Sequence, residues 1–114
     1  AYGIKDACII NGYTHTDWPL ITGQDAEIAA VKGIAEGYQE MPIYKDSRVL
    51  SSKCVKMVEA VLDDSEPELN DITTYNNNVM TVPSYLCVPV AIDSKNYEEI
   101  LINGGYYTKE QLFK

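Results

Sequence analysis

The sequence predicts an α/β fold with a mostly parallel sheet. Short apolar runs of strand length alternate with longer segments whose apolar residues recur at helical spacing. Between Pro19 and Leu62 the predicted order is strand, helix, strand, helix. That alternation is typical of a parallel sheet with helices packed on its faces.

Each predicted element in the first half of the chain has an apolar pattern and an end signal. Asn11-Gly12 ends the first helix, Gly37 ends the second, and Asp46 or Ser47 caps the third. In order, the predicted elements are a helix over Gly3–Ile10, a strand over Pro19–Thr22, a helix over Ala26–Glu36, a strand over Met41–Tyr44 and a helix over Arg48–Leu62.

The second half of the chain is less regular. Asp63–Asp71 is acidic, contains Pro67 and is predicted to be a solvated loop. Prolines flank Ser84–Val88, which favours an edge or crossover position over a central strand. The remaining predicted elements are β-prone segments at Ile72–Tyr75 and Val79–Val82 around an asparagine turn, a short helix capped by Asp93 or Ser94 that ends at Ile102, and a final helical turn over Thr108–Phe113.

Composition excludes several classes of function. The net charge is −8 and the basic residues are scattered, so we expect no nucleic-acid partner. No apolar run is long enough to span a membrane, so we expect no membrane insertion. The cysteines are far apart and His15 has no Cys or His at ligand spacing, which predicts no metal site. Cys8 and Cys54 are predicted to pack in the core.

The common catalytic motifs are also missing from the sequence. It contains no phosphate-binding glycine loop, no nucleophile elbow and no dinucleotide-binding glycine pattern. The chain is therefore predicted not to be an enzyme and to need no cofactor.

Two charged residues stand at predicted strand ends. Asp25 follows the first predicted strand and Lys45 follows the second, and the carboxyl ends of neighbouring parallel strands are where α/β proteins bind ligands. Asp25 can cap the next helix or accept hydrogen bonds from two adjacent sugar hydroxyls. Lys45 can donate to a sugar oxygen or remain a solvated surface lysine. Trp18 lies at the amino end of its strand and is predicted to pack rather than to stack on a sugar.

Three segments resemble one protein family. They are TGQDAEIAAVKGI, YKDSRVLSSKCVKMVEAVL and VPSYLCVPVAIDSKNYEEILINGGYYTKEQL. Together they closely resemble the C-terminal part of bacterial extracytoplasmic sugar-binding proteins of ABC importers, in the multiple-sugar and xylose-binding branch of the type 1 periplasmic binding proteins. The resemblance implies that Asp25 and Lys45 contact the sugar and that Gln24 is a further ligand contact.

The resemblance also implies a two-lobed fold, in which each lobe is a three-layer α/β/α sandwich and a monosaccharide is held between the lobes. Residues 1–45 would be part of the C-terminal lobe, residues 46–82 would belong to the N-terminal lobe, and residues 83–114 would form the return crossover and the C-terminal tail. On this interpretation the chain is a fragment of a longer receptor. The apolar stripe of the helix Arg48–Leu62 would then have no partner within the chain, and the missing N-terminal lobe or another copy of the fragment would cover it.

The expected function is reversible binding of a monosaccharide of the xylose, arabinose, glucose or galactose class and its delivery to an ABC permease. The resemblance implies an extracytoplasmic location, either periplasmic or lipid-anchored on the outer face of the cytoplasmic membrane. Two alternatives share the fold: a sugar-sensing domain for a chemoreceptor or kinase, and the effector-binding core of a repressor. A small flavodoxin-like enzyme is a third, and it would need a complete five-stranded parallel sheet within the chain.

Overall fold

A computed structural model describes all 114 residues of the chain. The chain divides into two compact units. Unit 1 comprises Ala1–Tyr44 and Val90–Lys114, and unit 2 comprises Lys45–Pro89. Unit 2 is thus inserted between the two stretches of unit 1. The assignment of chain segments to two lobes of a receptor stays a prediction.

The helices and strands follow most of the predicted pattern. In chain order they are α1 (Tyr2–Ile10), β1 (Thr22–Gln24), α2 (Ile28–Ala35), β2 (Met41–Tyr44), α3 (Ser47–Leu62), β3 (Val90–Ala91), a π-helix (Glu98–Asn103) and α4 (Lys109–Phe113). The predictions of α1, β2, α3 and α4 are confirmed to within a residue or so at each end. None of the helices combines the length and the apolar character that crossing a bilayer requires.

The sheet of unit 1 has three strands in the order β1-β2-β3. β1 and β2 are parallel, with Gln24 opposite Ile43. β3 is antiparallel to β2, with Val90 opposite Tyr44, so the sheet is mixed. The sequence did not predict β3, because two residues are too few to show the alternation of apolar and polar side chains that identifies a strand.

β1 begins later than the strand predicted over Pro19–Thr22. The Asp25 amide N–H donates to the Ile43 carbonyl at 2.8 Å, so the pairing with β2 continues to Asp25. Ile21 is buried, but it precedes the ladder and accepts a hydrogen bond from the Glu40 amide instead. Of the apolar run Leu20-Ile21, only Ile21 is buried, and neither residue belongs to the strand.

The core of unit 1 combines residues from both of its chain stretches. Its buried members are Ala26, Val31, Ile34, Tyr44, Ile92, Leu101 and Leu112. The Tyr106 ring packs edge-on against the Tyr44 ring, with 5.0 Å between the ring centroids. Tyr44 therefore packs in the core although it ends β2, next to Lys45.

Unit 2 consists of α3 followed by an irregular segment over residues 63–89. Isolated antiparallel bridges join Asp71 to Ser84 and Asn76 to Thr81. Asn78 has a φ of 69°, which places the predicted asparagine turn between the two β-prone segments. These segments pair only at single residues and form no regular strand.

Lys53 links the irregular segment of unit 2 to α3. Its ammonium group forms an ion pair with Glu68 at 2.6 Å and lies 4.1 Å from the centroid of the Tyr85 ring. The hydrogen bond to the Glu68 carboxylate raises the pKa of Lys53 above its ordinary value. This one side chain therefore contacts two points of the segment that follows α3.

α3 has no buried residue. The large apolar side chains exposed on it are Val49, Leu50, Val55, Val58, Val61 and Leu62. Of the apolar stripe predicted for this helix, Leu50, Cys54, Val58 and Val61 are exposed, whereas Met57 is half-buried. That another lobe or another copy covers the stripe stays a prediction. The predicted core position of Cys54 is wrong, because Cys54 is exposed, and Cys8 on α1 is only half-buried.

Candidate functional site

The turn that follows β1 has an unusual backbone. Asp25 and Ala26 both have positive φ angles, 73° and 42°. Left-handed backbone costs an L-residue about 1–2 kcal/mol, and aspartate tolerates it better than alanine does. The Asp25 side chain is exposed at this turn, whereas Ala26 has no exposed surface and belongs to the core of unit 1. The buried alanine thus anchors a turn that presents an acid to solvent.

The turn also decides where α2 begins. The helix was predicted from Ala26, but it begins at Ile28 with Glu27 in the N-cap position. Two successive left-handed residues cannot belong to a right-handed helix, so the prediction was two residues early. The N-cap position is therefore occupied by Glu27 and not by Asp25.

The other two predicted contacts lie at strand ends as well. Gln24 is the last residue of β1 and is exposed. Lys45 is exposed and follows directly after Tyr44, the last residue of β2. Because β1 and β2 are parallel neighbours, the chain leaves both strands at the same edge of the sheet. The sequence thus placed Asp25 and Lys45 correctly at strand ends, and their contact with a sugar stays a prediction.

Lys45 and Asp46 border a groove within unit 2. The groove has a volume of about 320 Å³ and lies between the start of α3 and the segment over residues 85–88. Its other lining residues are Val49, Leu50, Tyr85, Leu86, Cys87 and Val88. The groove is therefore mainly apolar, and Lys45 and Asp46, the first residues of unit 2, contribute its charged groups.

Trp18 packs as predicted. Its indole N–H donates to the Tyr38 carbonyl oxygen at 2.8 Å, and its ring meets the Tyr38 ring edge-on with 4.9 Å between the centroids. His15 stacks on the same Tyr38 ring at 4.8 Å. This aromatic cluster belongs to the loops before β1 and after α2, not to the turn that carries Asp25.

Sequence reasoning missed one residue of the candidate site. Ala26 is a fully buried residue of the left-handed turn, yet alanine gives no sequence signal for a positive φ angle. A glycine there would have suggested a turn. Elsewhere, no three His, Cys, Asp or Glu side chains come together as a metal ion would require.

Curated relatives match most of the chain. No family model matches it. It is 50% identical over 94 residues to the multiple sugar-binding periplasmic receptor ChvE of Rhizobium radiobacter, and these residues are 82% of this chain and 27% of that protein. It is 43% identical over 93 residues to the multiple sugar-binding periplasmic protein SbpA of Azospirillum brasilense, and 37% identical to a D-xylose-binding periplasmic protein of Haemophilus influenzae. The chain spans about a quarter of the length of these relatives.

Solved structures give the same result. An ABC transporter solute-binding protein from Clostridium phytofermentans with bound β-D-glucose matches 96% of this chain and 33% of its own, with a TM-score of 0.87 at 46% identity. A carbohydrate transporter solute-binding protein from Chloroflexus aurantiacus, in complex with D-glucose, matches 81% of this chain and 26% of its own, with a TM-score of 0.75 at 38% identity.

These findings confirm the resemblance read from the sequence, and with it the fold class. They agree with the ABC-receptor interpretation rather than with a sensory domain or a repressor core. The chain is homologous in sequence to about a quarter of the length of periplasmic sugar-binding proteins, and its fold matches a quarter to a third of the length of transporter solute-binding proteins.

Proposed function

We propose that this chain is the sugar-contacting C-terminal segment of a solute-binding protein that binds a monosaccharide and delivers it to an ABC permease outside the cytoplasm. The relatives named above are sugar-binding periplasmic proteins by name, and the two matched structures of solute-binding proteins hold glucose. The observation that carries the proposal is the exposed carboxylate of Asp25 on a left-handed turn at the end of β1.

Asp25 and Lys45 offer complementary chemistry to a sugar. An ionised carboxylate accepts hydrogen bonds from two adjacent hydroxyls, and an ammonium group donates up to three. Hydrogen bonds to a charged group contribute about 1.5–3 kcal/mol each. Asp25 would accept from two hydroxyls, Lys45 would donate to a hydroxyl or ring oxygen, and Gln24 would contribute an amide group.

The remaining contacts would come from residues outside this chain. The chain spans about a quarter of its relatives' length, and the apolar stripe of α3 is exposed. We propose that an N-terminal lobe of the full-length receptor covers this stripe and supplies the opposite wall of the sugar site. Sugar bound by both lobes would then favour the closed state of the receptor over the open state.

Calorimetric titration of the full-length receptor with D-glucose and D-xylose tests this proposal. Asp25→Asn and Lys45→Met are each expected to weaken binding by about 10- to 100-fold, since each 1.4 kcal/mol is worth a factor of ten. Asp6→Asn on α1 and Lys56→Met on α3 are matched controls, since both residues are exposed, and they should leave the affinity unchanged. Wild-type affinity in both the Asp25 and the Lys45 variant would refute the proposed contacts.

A further inference from the structure

The turn at Asp25 and Ala26 is strained, and it carries the predicted sugar contact Asp25. Two successive residues other than glycine have positive φ angles there. Strained residues of this kind persist only where the surrounding structure fixes them, and they are concentrated at functional sites. The question is what fixes this turn.

The turn is held on both sides. On its sheet side, the Asp25 amide donates to the Ile43 carbonyl of β2 at 2.8 Å. On its core side, the methyl group of Ala26 has no exposed surface and lies in the same buried cluster as Val31 and Tyr44. Asp25, which carries the exposed carboxylate, is therefore fixed in two ways. Its own amide is hydrogen-bonded to β2, and the next residue, Ala26, is buried in the core.

We propose that Ala26 is a positioning residue for the sugar contact of Asp25. This inference rests on the proposed function of Asp25. The buried methyl group confines the backbone to the left-handed turn and so holds the carboxylate in its bound orientation before sugar arrives. A glycine at this position would relieve the strain, but it would also let the turn sample other conformations. Sugar binding would then have to order the turn, which weakens affinity.

The test compares Ala26→Gly with Ala26→Ser in the full-length receptor. Ala26→Gly is expected to weaken glucose binding about two- to fivefold, because the turn loses the buried methyl group that fixes it to the core of unit 1. Ala26→Ser keeps a Cβ atom and hence the backbone restraint, but it buries a hydroxyl group. It should therefore lower the urea midpoint of unfolding while the affinity stays within twofold. A serine variant that loses as much affinity as the glycine variant would overturn the proposal.

A double-mutant cycle with Asp25→Asn separates positioning from a general effect on the fold. Ala26→Gly should weaken binding when Asp25 is present and have no further effect in the Asp25→Asn background. The same loss in both backgrounds, or no loss in either, would overturn the role of Ala26 and leave the proposed role of Asp25 intact. Wild-type affinity of the Asp25→Asn variant would instead refute the proposed function, and with it this inference.

Discussion

Leu101 is fully buried in the core of unit 1, within a π-helix of only six residues. Leu101→Ala is expected to lower the free energy of unfolding by about 2–5 kcal/mol, because it removes buried apolar surface and leaves a cavity. Leu20 is 82% exposed in the same unit, and Leu20→Ala should change stability by less than about 0.5 kcal/mol. Urea unfolding measures both values. Equal effects of the two substitutions would mean that the core is not where the structure places it.

We expect acid to remove a contribution that Asp71 makes to the stability of unit 2. A hydrogen bond from the Thr74 hydroxyl and further bonds from the Thr73 and Thr74 amides hold the pKa of Asp71 below its ordinary value of 3.8. A lowered folded-state pKa means that Asp71 contributes stability above about pH 4 and loses that contribution as the pH falls through the folded pKa.

An NMR titration tests this prediction directly. The Asp71 carboxyl should titrate below pH 3.8, and the amide signals of Thr73 and Thr74 should shift with it. In Asp71→Asn the two amides should show no titration in this range. A pKa of Asp71 at or above 3.8 would contradict the hydrogen bonds seen at this loop.

The start of α3 depends on a single capping side chain, that of Asp46. Asp46 accepts a hydrogen bond from the Arg48 amide at 2.9 Å and pairs with the Arg48 guanidinium at 2.7 Å. Asp46→Ala should lower the free energy of unfolding by about 1 kcal/mol and reduce the helical circular dichroism. Glu59→Ala removes the same charge from an exposed position in the last turn of α3, so it should not destabilise the helix. Equal losses in the two variants would exclude a capping role.

The start of α3 was predictable from the sequence. Asp46, one of the two predicted caps, is the N-cap, because a capping signal acts locally and depends on few neighbours. β3 and the displacement of β1 were missed, because strand pairing depends on partners that are distant in sequence. The positions of Asp25 and Lys45 directly after β1 and β2 were predictable, whereas their contact with a sugar stays a prediction. The left-handed turn at Asp25 was missed, because no glycine marks it.

The exposed stripe of α3 affects the behaviour of the whole chain. Contiguous apolar surface of this kind usually marks a contact with another protein surface. We expect the isolated 114-residue chain to self-associate, and light scattering should show a mass that rises with concentration. Val58→Lys combined with Val61→Lys should reduce the association, whereas Val79→Lys, at an 88% exposed position outside α3, should not. A monomeric wild-type chain at every concentration would contradict this expectation.

The insertion of unit 2 separates two strands that are direct partners. Tyr44 lies opposite Val90, so two residues such as Asn-Gly could join them as a tight β-hairpin. Replacing Lys45–Pro89 by Asn-Gly should leave a chain that folds as unit 1, because the shorter loop reduces the entropic cost of closure by roughly 3 kcal/mol. Cooperative thermal unfolding followed by circular dichroism tests this. A non-cooperative transition would show that unit 1 depends on unit 2.

The discontinuous core of unit 1 has a consequence for biosynthesis. Ile92, Leu101 and Leu112 belong to the last stretch of the chain, and they pack against residues that leave the ribosome much earlier. At about 5–20 residues per second, the second stretch of unit 1 is synthesised several seconds after the first. During this interval the first stretch lacks the native packing partners that Ile92, Leu101 and Leu112 supply. Unit 1 can therefore be completed only after Leu112 has been synthesised, and a product truncated before this residue would be a target for proteolysis.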